Sequence, residues 1–160
     1  MSDVIEESLA QLVERGGIYY SVTGGSIREI MSNVINNLPF MPSDKKQALL
    51  KAVMEREALI STGVENGIAL PHPRTPMLED GEEPFVAIAF PFISPDWTTP
   101  DNSKVHTIFL IVSKSPKQHL GVLSKINFLC KQGKFFSRLS AQSTKERIIA
   151  AIEEAEKDWS

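Results

Sequence analysis

The chain has 160 residues, of which 42% are hydrophobic and 23% are charged, ordinary proportions for one soluble globular domain. The formal net charge is only −3 and the charges are not clustered, which argues against a general nucleic-acid binder. No apolar run approaches the roughly 18 residues of a membrane span, and the first residues lack the basic and apolar regions of a signal peptide. The single cysteine, Cys130, excludes an intrachain disulfide and favours the reducing cytoplasm.

The first part of the chain predicts three helices and one strand. Residues 3–14 carry an apolar stripe at helical spacing, and the pair Gly16–Gly17 is expected to end that helix. Residues 18–22 are aromatic and β-branched, which predicts a strand. Ser26 has the capping pattern of a second helix, and Ser43 is expected to open a third.

Three further strands are predicted between the helices, over Ile68–Leu70, Phe85–Phe92 and Val105–Val112. The last of these is apolar on both faces, so both faces must be covered. Since helices flank the strands in sequence, they are the expected cover. The pattern predicts an α/β fold with a mixed sheet of four to five strands between helix layers.

The last third of the chain predicts three helices. Ser115 followed by Pro116 is a favoured helix start, and Gly133 is expected to end the helix. A short helix is expected over 135–139, and the segment 143–146 has the capping pattern of a final one.

His72 is the first candidate for chemistry, because it stands between two prolines just after a predicted strand. Each proline fixes its own φ and removes a backbone donor, and the following proline favours extended geometry at His72. A group on such a stiff segment is oriented before its partner arrives, and imidazole titrates near neutral pH. The alternative is a loop histidine that only tolerates its neighbours.

The other two histidines lie at opposite ends of a strand and helix unit. His119 is at the fourth position of the predicted helix, near its unsatisfied N–H groups and positive dipole end, which suits neutral imidazole and phosphate. The alternative is a half-covered histidine at a helix start. His106 begins the preceding strand, whose ends are about 20 Å apart. That separation weighs against a metal site built from three histidines.

Two arginines flank the His72 segment, and either could bind an anion through two parallel hydrogen bonds. Arg56 interrupts the inner side of its predicted helix, an unusual position for a charge that serves only solubility. For Arg74 the simpler interpretation, a surface cation, is favoured.

A sequence pattern covers these residues. Residues 55–72 contain an arginine at a helix end, a Ser/Thr-Gly turn and then Gly-Ile-Ala-Leu-Pro-His, and residues 105–109 with 119–123 pair a strand with His-Leu-x-x-Leu. In both segments the chain resembles the IIA components of the bacterial phosphotransferase system, in the fructose/mannitol superfamily and especially its nitrogen-regulatory branch. The resemblance covers roughly residues 24–157 and leaves residues 1–23 as an N-terminal extension of a single domain.

The resemblance implies a three-layer α/β/α sandwich and the activity of a phosphocarrier. It implies that His72 accepts a phosphoryl group from an HPr-like phosphohistidine protein, with His119 as the second active-site histidine and Arg56 facing the phosphate. It implies neither a cofactor nor a metal. The implied partners are the HPr-like carrier and either regulatory target proteins or a IIB domain, without nucleic acid and without insertion into a membrane.

Family likeness alone favours a regulatory role over sugar transport. The alternatives are a transport component that passes phosphate to a IIB domain, and a non-catalytic binding module of the same fold. A metal-dependent hydrolase is a weaker third reading, and it predicts bound metal in the purified protein. The loop Pro95–Ser103, with Trp97 and Pro100, is unusual for the family and is a candidate for shaping partner choice.

Overall fold

The computed structural model describes residues 7–159. Within that range the helices are α1 Leu9–Gly16, α2 Ile27–Asn36, α3 Ser43–Leu59, α4 Pro116–Cys130, α5 Gly133–Ser140 and α6 Lys145–Glu156. The strands are β1 Ile18–Val22, β2 Ile68–Ala69, β3 Phe85–Pro91 and β4 Thr107–Val112, and a short 3₁₀ turn covers Glu65–Gly67. None of the helices in the described range is both long and apolar enough to cross a membrane.

The sheet is mixed, as predicted, and across residues 7–159 its four strands lie in the order β1-β3-β4-β2. The central pair, β3 and β4, is antiparallel, and each outer strand runs parallel to its neighbour. In the pairing of β2 with β4, Ile68 lies opposite Thr107. Because β2 and β4 run in the same direction, the segments 70–72 and 113–119 emerge at the same edge of the sheet.

Helices cover both faces of the sheet, which confirms the three-layer α/β/α arrangement. Successive side chains of a strand point to opposite faces, so β3 and β4 supply two separate cores. The strand residues that pack towards α1, α4, α5 and α6 are Val86, Ile88, Phe90, Phe109 and Ile111. Those that pack towards α2 and α3 are Phe85, Ala87, Ala89, Ile108 and Leu110.

The first helix begins later than its apolar stripe predicted. It was expected over residues 3–14, and it begins at Leu9. The Ser8 hydroxyl accepts the N–H of Gln11 and the Gln11 side chain accepts the N–H of Ser8, a reciprocal cap that sets the first turn. The apolar stripe predicted over residues 3–14 includes Ile5, which lies outside the described residues.

Two other predicted boundaries are also wrong. The fourth strand begins at Thr107 rather than Val105, because its partner β2 begins only opposite that residue, and His106 therefore precedes the strand. Gly133 was expected to end α4 and is instead the first residue of α5. α4 already ends at Cys130, since the N–H groups of the next two residues bond to its last carbonyls.

The elements before residue 24 belong to the same core as the rest. β1 pairs with β3, and Leu9 and Leu12 of α1 are buried beneath it. The carboxylate of Glu156, at the end of α6, accepts the N–H groups of Leu9 (2.9 Å) and Ala10 (3.0 Å). An anion at a helix N-terminus satisfies its free donors and its dipole, so α6 stabilises the start of α1.

The contact between α1 and β3 depends on the absence of a side chain at Gly16. A Cβ added there would overlap the backbone carbonyl of Val86. We expect Gly16→Ala to lower the free energy of unfolding by about 1–3 kcal/mol, because α1 must move away from the sheet. In the control variant Gly133→Ala the added Cβ meets nothing within 4 Å, and its change should stay below about 1 kcal/mol. Urea unfolding followed by circular dichroism measures both, and equal midpoints would contradict this contact.

Candidate functional site

His72 lies just beyond β2 on a segment that is held from both sides. The N–H of Leu70 donates to the carbonyl of Thr62 (3.0 Å), and the carbonyl of Pro71 accepts the N–H of Ile111 on β4 (3.0 Å). Pro71 has no N–H of its own, so burying it leaves no donor unpaired. The segment therefore continues the line of β2 and carries His72 on a stiff backbone.

One hydrogen bond orients the ring of His72. Its Nδ1 lies 2.7 Å from the carbonyl oxygen of Leu70. A carbonyl can only accept, so Nδ1 must carry the ring proton in the neutral form. The lone pair of the neutral imidazole is then on Nε2, which makes Nε2 the more nucleophilic nitrogen of the ring.

His119 reaches the same place from the first turn of α4. The turn begins where it was predicted, because the Ser115 hydroxyl accepts the N–H of Gln118 (3.1 Å) and Pro116 fits the first helical position. The ring centroids of His72 and His119 are 4.3 Å apart, with 48° between the ring planes. The common edge of β2 and β4 thus brings together two histidines that are distant in the sequence.

Both imidazoles are held in the neutral form at pH 7. Burial lowers the pKa of His72 below its ordinary value of 6.5, and the charge of Arg56 lowers it further, while the Leu70 carbonyl and Glu57 act in the opposite direction. Burial, followed by the charges of His72 and Arg56, lowers the pKa of His119 to about 4. A neutral ring retains the lone pair that a nucleophile needs.

Arg56 lies in the last turn of α3 and supplies the positive charge of the site. One of its nitrogens, Nη1, donates to the carbonyl of Ile60 (2.7 Å). A guanidinium has five N–H donors, so this bond leaves others for an anion. Arg74 is exposed and lines, together with His119, a neighbouring cleft of about 210 Å³.

The third histidine is in a different environment. Nε2 of His106 lies 3.0 Å from the carbonyl of Asn66, and its ring packs edge-on against Phe136. In the part of the chain that the structure describes, no group of three or more His, Cys, Asp or Glu side chains is placed to hold a metal ion. Burial raises the pKa of the Cys130 thiol to about 12, so Cys130 is a protonated thiol at neutral pH.

Sequence reasoning missed Glu57, which follows Arg56 in α3. Its carboxylate accepts the N–H (2.8 Å) and the hydroxyl (2.6 Å) of Thr62, and the indole N–H of Trp97 (3.0 Å). The sequence did contain a signal for Glu57, since an acidic side chain in the last turn of a helix interacts unfavourably with the helix dipole. Such a residue is expected to have a compensating partner elsewhere. The partner is provided by the tertiary structure, in which Glu57 joins the end of α3 to the loop that contains Trp97.

The loop Pro95–Ser103 is firmly attached to the residues that precede β2. The Ser61 hydroxyl donates to the carbonyl of Thr98 (2.6 Å), and the Ser103 hydroxyl accepts the N–H of Gly67 (2.8 Å). This unusual loop is therefore tied by hydrogen bonds to the segment between α3 and β2.

Comparison with known proteins decides the family. The sequence model described as "Phosphoenolpyruvate-dependent sugar phosphotransferase system, EIIA 2" matches residues 3–155. The chain belongs to this family. The family and its fold, predicted from the two sequence segments, are thereby confirmed.

Two curated relatives carry different names. A nitrogen regulatory protein from Pseudomonas aeruginosa is 26% identical over 147 residues, which are 90% of this chain and 94% of that protein. A fructose-specific EIIABC component from Mycoplasma pneumoniae is 37% identical over 97 residues, 59% of this chain. The match covers only 13% of that second relative, so it concerns one part of a much longer protein.

Solved structures share the fold. The nitrogen regulatory protein IIA-Ntr from Neisseria meningitidis gives a TM-score of 0.72 at 23% identity, covering 89% of this chain and 97% of that one. The mannitol IIA component of Escherichia coli, solved in complex with its phosphorylated IIB component, gives 0.67 at 13% identity, covering 87% and 95%. At these identities the likeness establishes the architecture.

The lowered histidine pKa values predict a pH-dependent stability. In the unfolded chain His72 and His119 become protonated below about pH 6.5, whereas in the folded state their lowered pKa values delay protonation to lower pH. Stability from this source is complete above pH 6.5 and is lost as the pH falls towards 4. We expect the free energy of unfolding of His119→Gln to decline less steeply than that of the wild type between pH 7 and pH 4.5. Parallel declines in chemical denaturation would contradict the lowered pKa of His119.

Proposed function

We propose that His72 accepts a phosphoryl group from a phosphohistidine on an HPr-like carrier protein, so that the chain acts as a phosphocarrier. The observation that carries this proposal is the hydrogen bond from Nδ1 of His72 to the Leu70 carbonyl, which leaves the Nε2 lone pair for attack on phosphorus. The step calls for no cofactor and no metal. Its proposed compartment is the cytoplasm, which the single cysteine favours.

In the proposed step, Nε2 of His72 attacks the phosphorus in line with the donor's P–N bond. That bond breaks, and its electron pair returns to the donor nitrogen. The proton on Nδ1 stays in place, and the ring of His72 gains positive charge that the Leu70 carbonyl stabilises. Arg56 neutralises charge on the phosphoryl oxygens, and neutral His119 donates its ring N–H to one of them.

Exposed apolar side chains near the site suit a transient protein partner. Leu59 and Ile60 follow Arg56 at the end of α3, and Leu120 follows His119 in α4; each of the three is more than 60% exposed. Apolar contact with a polar rim is typical of protein interfaces. An HPr-like carrier that covers this surface would exclude water from the phosphoryl group during transfer.

Between the two downstream roles, we favour regulation. The nitrogen regulatory relative matches along 94% of its length, which supports a regulatory role for the similar chain. Phosphorylation adds about two negative charges at pH 7, enough to make or break an interface. The fructose-specific relative and the mannitol complex support the second candidate, transfer to a IIB domain. Onward transfer of phosphate to a IIB domain would favour transport, whereas binding of target proteins that depends on phosphorylation would favour regulation.

The proposal predicts a single acid-labile phosphoryl group on His72. We expect intact-mass spectrometry after incubation with phosphoenolpyruvate, enzyme I and HPr to show it on the wild type and not on His72→Ala. The variant His106→Gln is the control, because His106 contacts Asn66 and Phe136 instead of His72, and it should be phosphorylated like the wild type. A folded wild-type protein that gains no mass beside a working HPr control would favour the non-catalytic binding module.

Removal of the Arg56 charge should slow phosphorylation without unfolding the protein. We expect Arg56→Ala to lower the rate of transfer from phosphorylated HPr by about 10- to 100-fold, because the phosphoryl oxygens lose a preorganised donor. Arg147→Ala removes an exposed arginine of α6 and should leave the rate unchanged. Equal rates for the two variants in rapid-quench experiments would remove Arg56 from the site.

A further inference from the structure

A continuous series of hydrogen bonds connects the indole of Trp97 to the ring of His72. The indole N–H donates to Oε2 of Glu57 (3.0 Å), and the same carboxylate accepts the N–H and hydroxyl of Thr62. The carbonyl of Thr62 accepts the N–H of Leu70 (3.0 Å). The carbonyl of Leu70 in turn accepts Nδ1–H of His72 (2.7 Å). Every link between the loop and the nucleophile is thus a direct contact.

The two residues that donate to Glu57 are buried and Glu57 itself is half-buried, so these groups depend on one another. Trp97 is 5% exposed and Thr62 is 6% exposed. Within residues 7–159 the carboxylate of Glu57 forms no ion pair, and it accepts three hydrogen bonds, from these two side chains and from the Thr62 N–H. Hydrogen bonds to a carboxylate are stronger than neutral ones, and a buried donor that loses its acceptor is costly.

We propose that Glu57 is a positioning residue for phosphoryl acceptance, holding through Thr62 and Leu70 the carbonyl that fixes the tautomer and orientation of His72. Trp97 supports the same carboxylate from the loop. The proposal rests on the proposed function of His72 and deepens it. A misplaced nucleophile is costly, since a shift of about 1 Å can reduce a rate roughly 100-fold.

The carboxylate has a second, separable effect through its charge. Its negative charge raises the pKa of His72, against burial and against Arg56. Geometry and charge can be separated by two variants, because Gln keeps an acceptor oxygen and similar bulk while Ala removes both. In Glu57→Gln the amide oxygen can accept the Thr62 N–H and the indole N–H, and the Thr62 hydroxyl can rotate to accept from the amide.

The direct test observes the ring nitrogens of His72 in unphosphorylated protein by ¹⁵N NMR. We expect a single Nδ1–H tautomer in the wild type and in Glu57→Gln, with a lower pKa for His72 in the latter because a negative charge is gone. Glu57→Ala should show a mixture of tautomers. Glu55→Ala, an exposed neighbour on α3, is the matched control and should match the wild type. A single Nδ1–H tautomer in Glu57→Ala would overturn the proposal.

Transfer kinetics with phosphorylated HPr provide the functional test. We expect Glu57→Ala to lower the maximal rate by about 10- to 100-fold at an unchanged half-saturating HPr concentration. Trp97→Phe removes one of the three donors to the carboxylate and should lower the rate about two- to tenfold. Trp159→Phe is its control, because Trp159 packs against Phe128 on α4 instead. A change confined to the half-saturating concentration would overturn positioning and assign the loop to docking.

The NMR and kinetic measurements together distinguish a wrong role for Glu57 from a wrong phosphocarrier function. If HPr does not phosphorylate the wild type while the tautomer shifts in Glu57→Ala, the phosphocarrier function is wrong and the structural linkage stands. Thermal unfolding identifies a variant that fails to fold. If Glu57→Ala does not fold, Trp97→Phe and Trp159→Phe test the proposal in its place. The His72 tautomer and the transfer rate are measured in both variants, and the same values in the two would overturn the proposal.

Discussion

The antiparallel pair of β3 and β4 is the constraint on which the rest of the molecule depends. All residues of both strands are buried, so neither face of the pair can meet water. Two helix layers are therefore required, and the short parallel strands β1 and β2 complete the sheet at its two sides. Because β2 runs parallel to β4, the chain leaves both strands at the same edge, and there the proline-flanked His72 meets the helix that carries His119. The location of the site follows from the burial of the central strands.

At that edge, backbone groups are as important as side chains for holding the candidate site in place. The carbonyls of Thr62, Leu70 and Pro71 are all engaged in hydrogen bonds that hold the His72 segment. Prolines at a buried segment reduce the number of donors that need partners, and they stiffen the chain at the same time. The proposed nucleophile is therefore aimed by backbone geometry, and its tautomer is determined by a carbonyl with no alternative but to accept.

The chemistry of the site has a cost in stability. His72 and His119 are half-buried near Arg56, and their lowered pKa values keep both rings neutral at a slightly acidic pH at which an exposed histidine would be protonated. The folded state therefore loses stability on acidification, whereas the proposed nucleophile retains its lone pair. Glu57 partly offsets the positive surroundings and at the same time ties α3 to the loop that contains Trp97. One carboxylate thus contributes both to the proposed orientation of His72 and to the electrostatics of the site.

The sequence by itself determined the features that neighbouring residues control: the cap at Ser115, the stiff segment around His72 and the two apolar faces of β4, together with the family pattern. Only the tertiary structure decided that β4 begins at Thr107, since a strand end depends on where its partner β2 begins. It also decided the part played by Glu57, whose partners lie in separate segments of the chain. The tautomer of His72 depends on the hydrogen bond of its ring to the Leu70 carbonyl, and the lowered pKa values of His72 and His119 depend on burial and on the charge of Arg56 from α3. Such interactions act through space, and the order of residues along the chain does not display them.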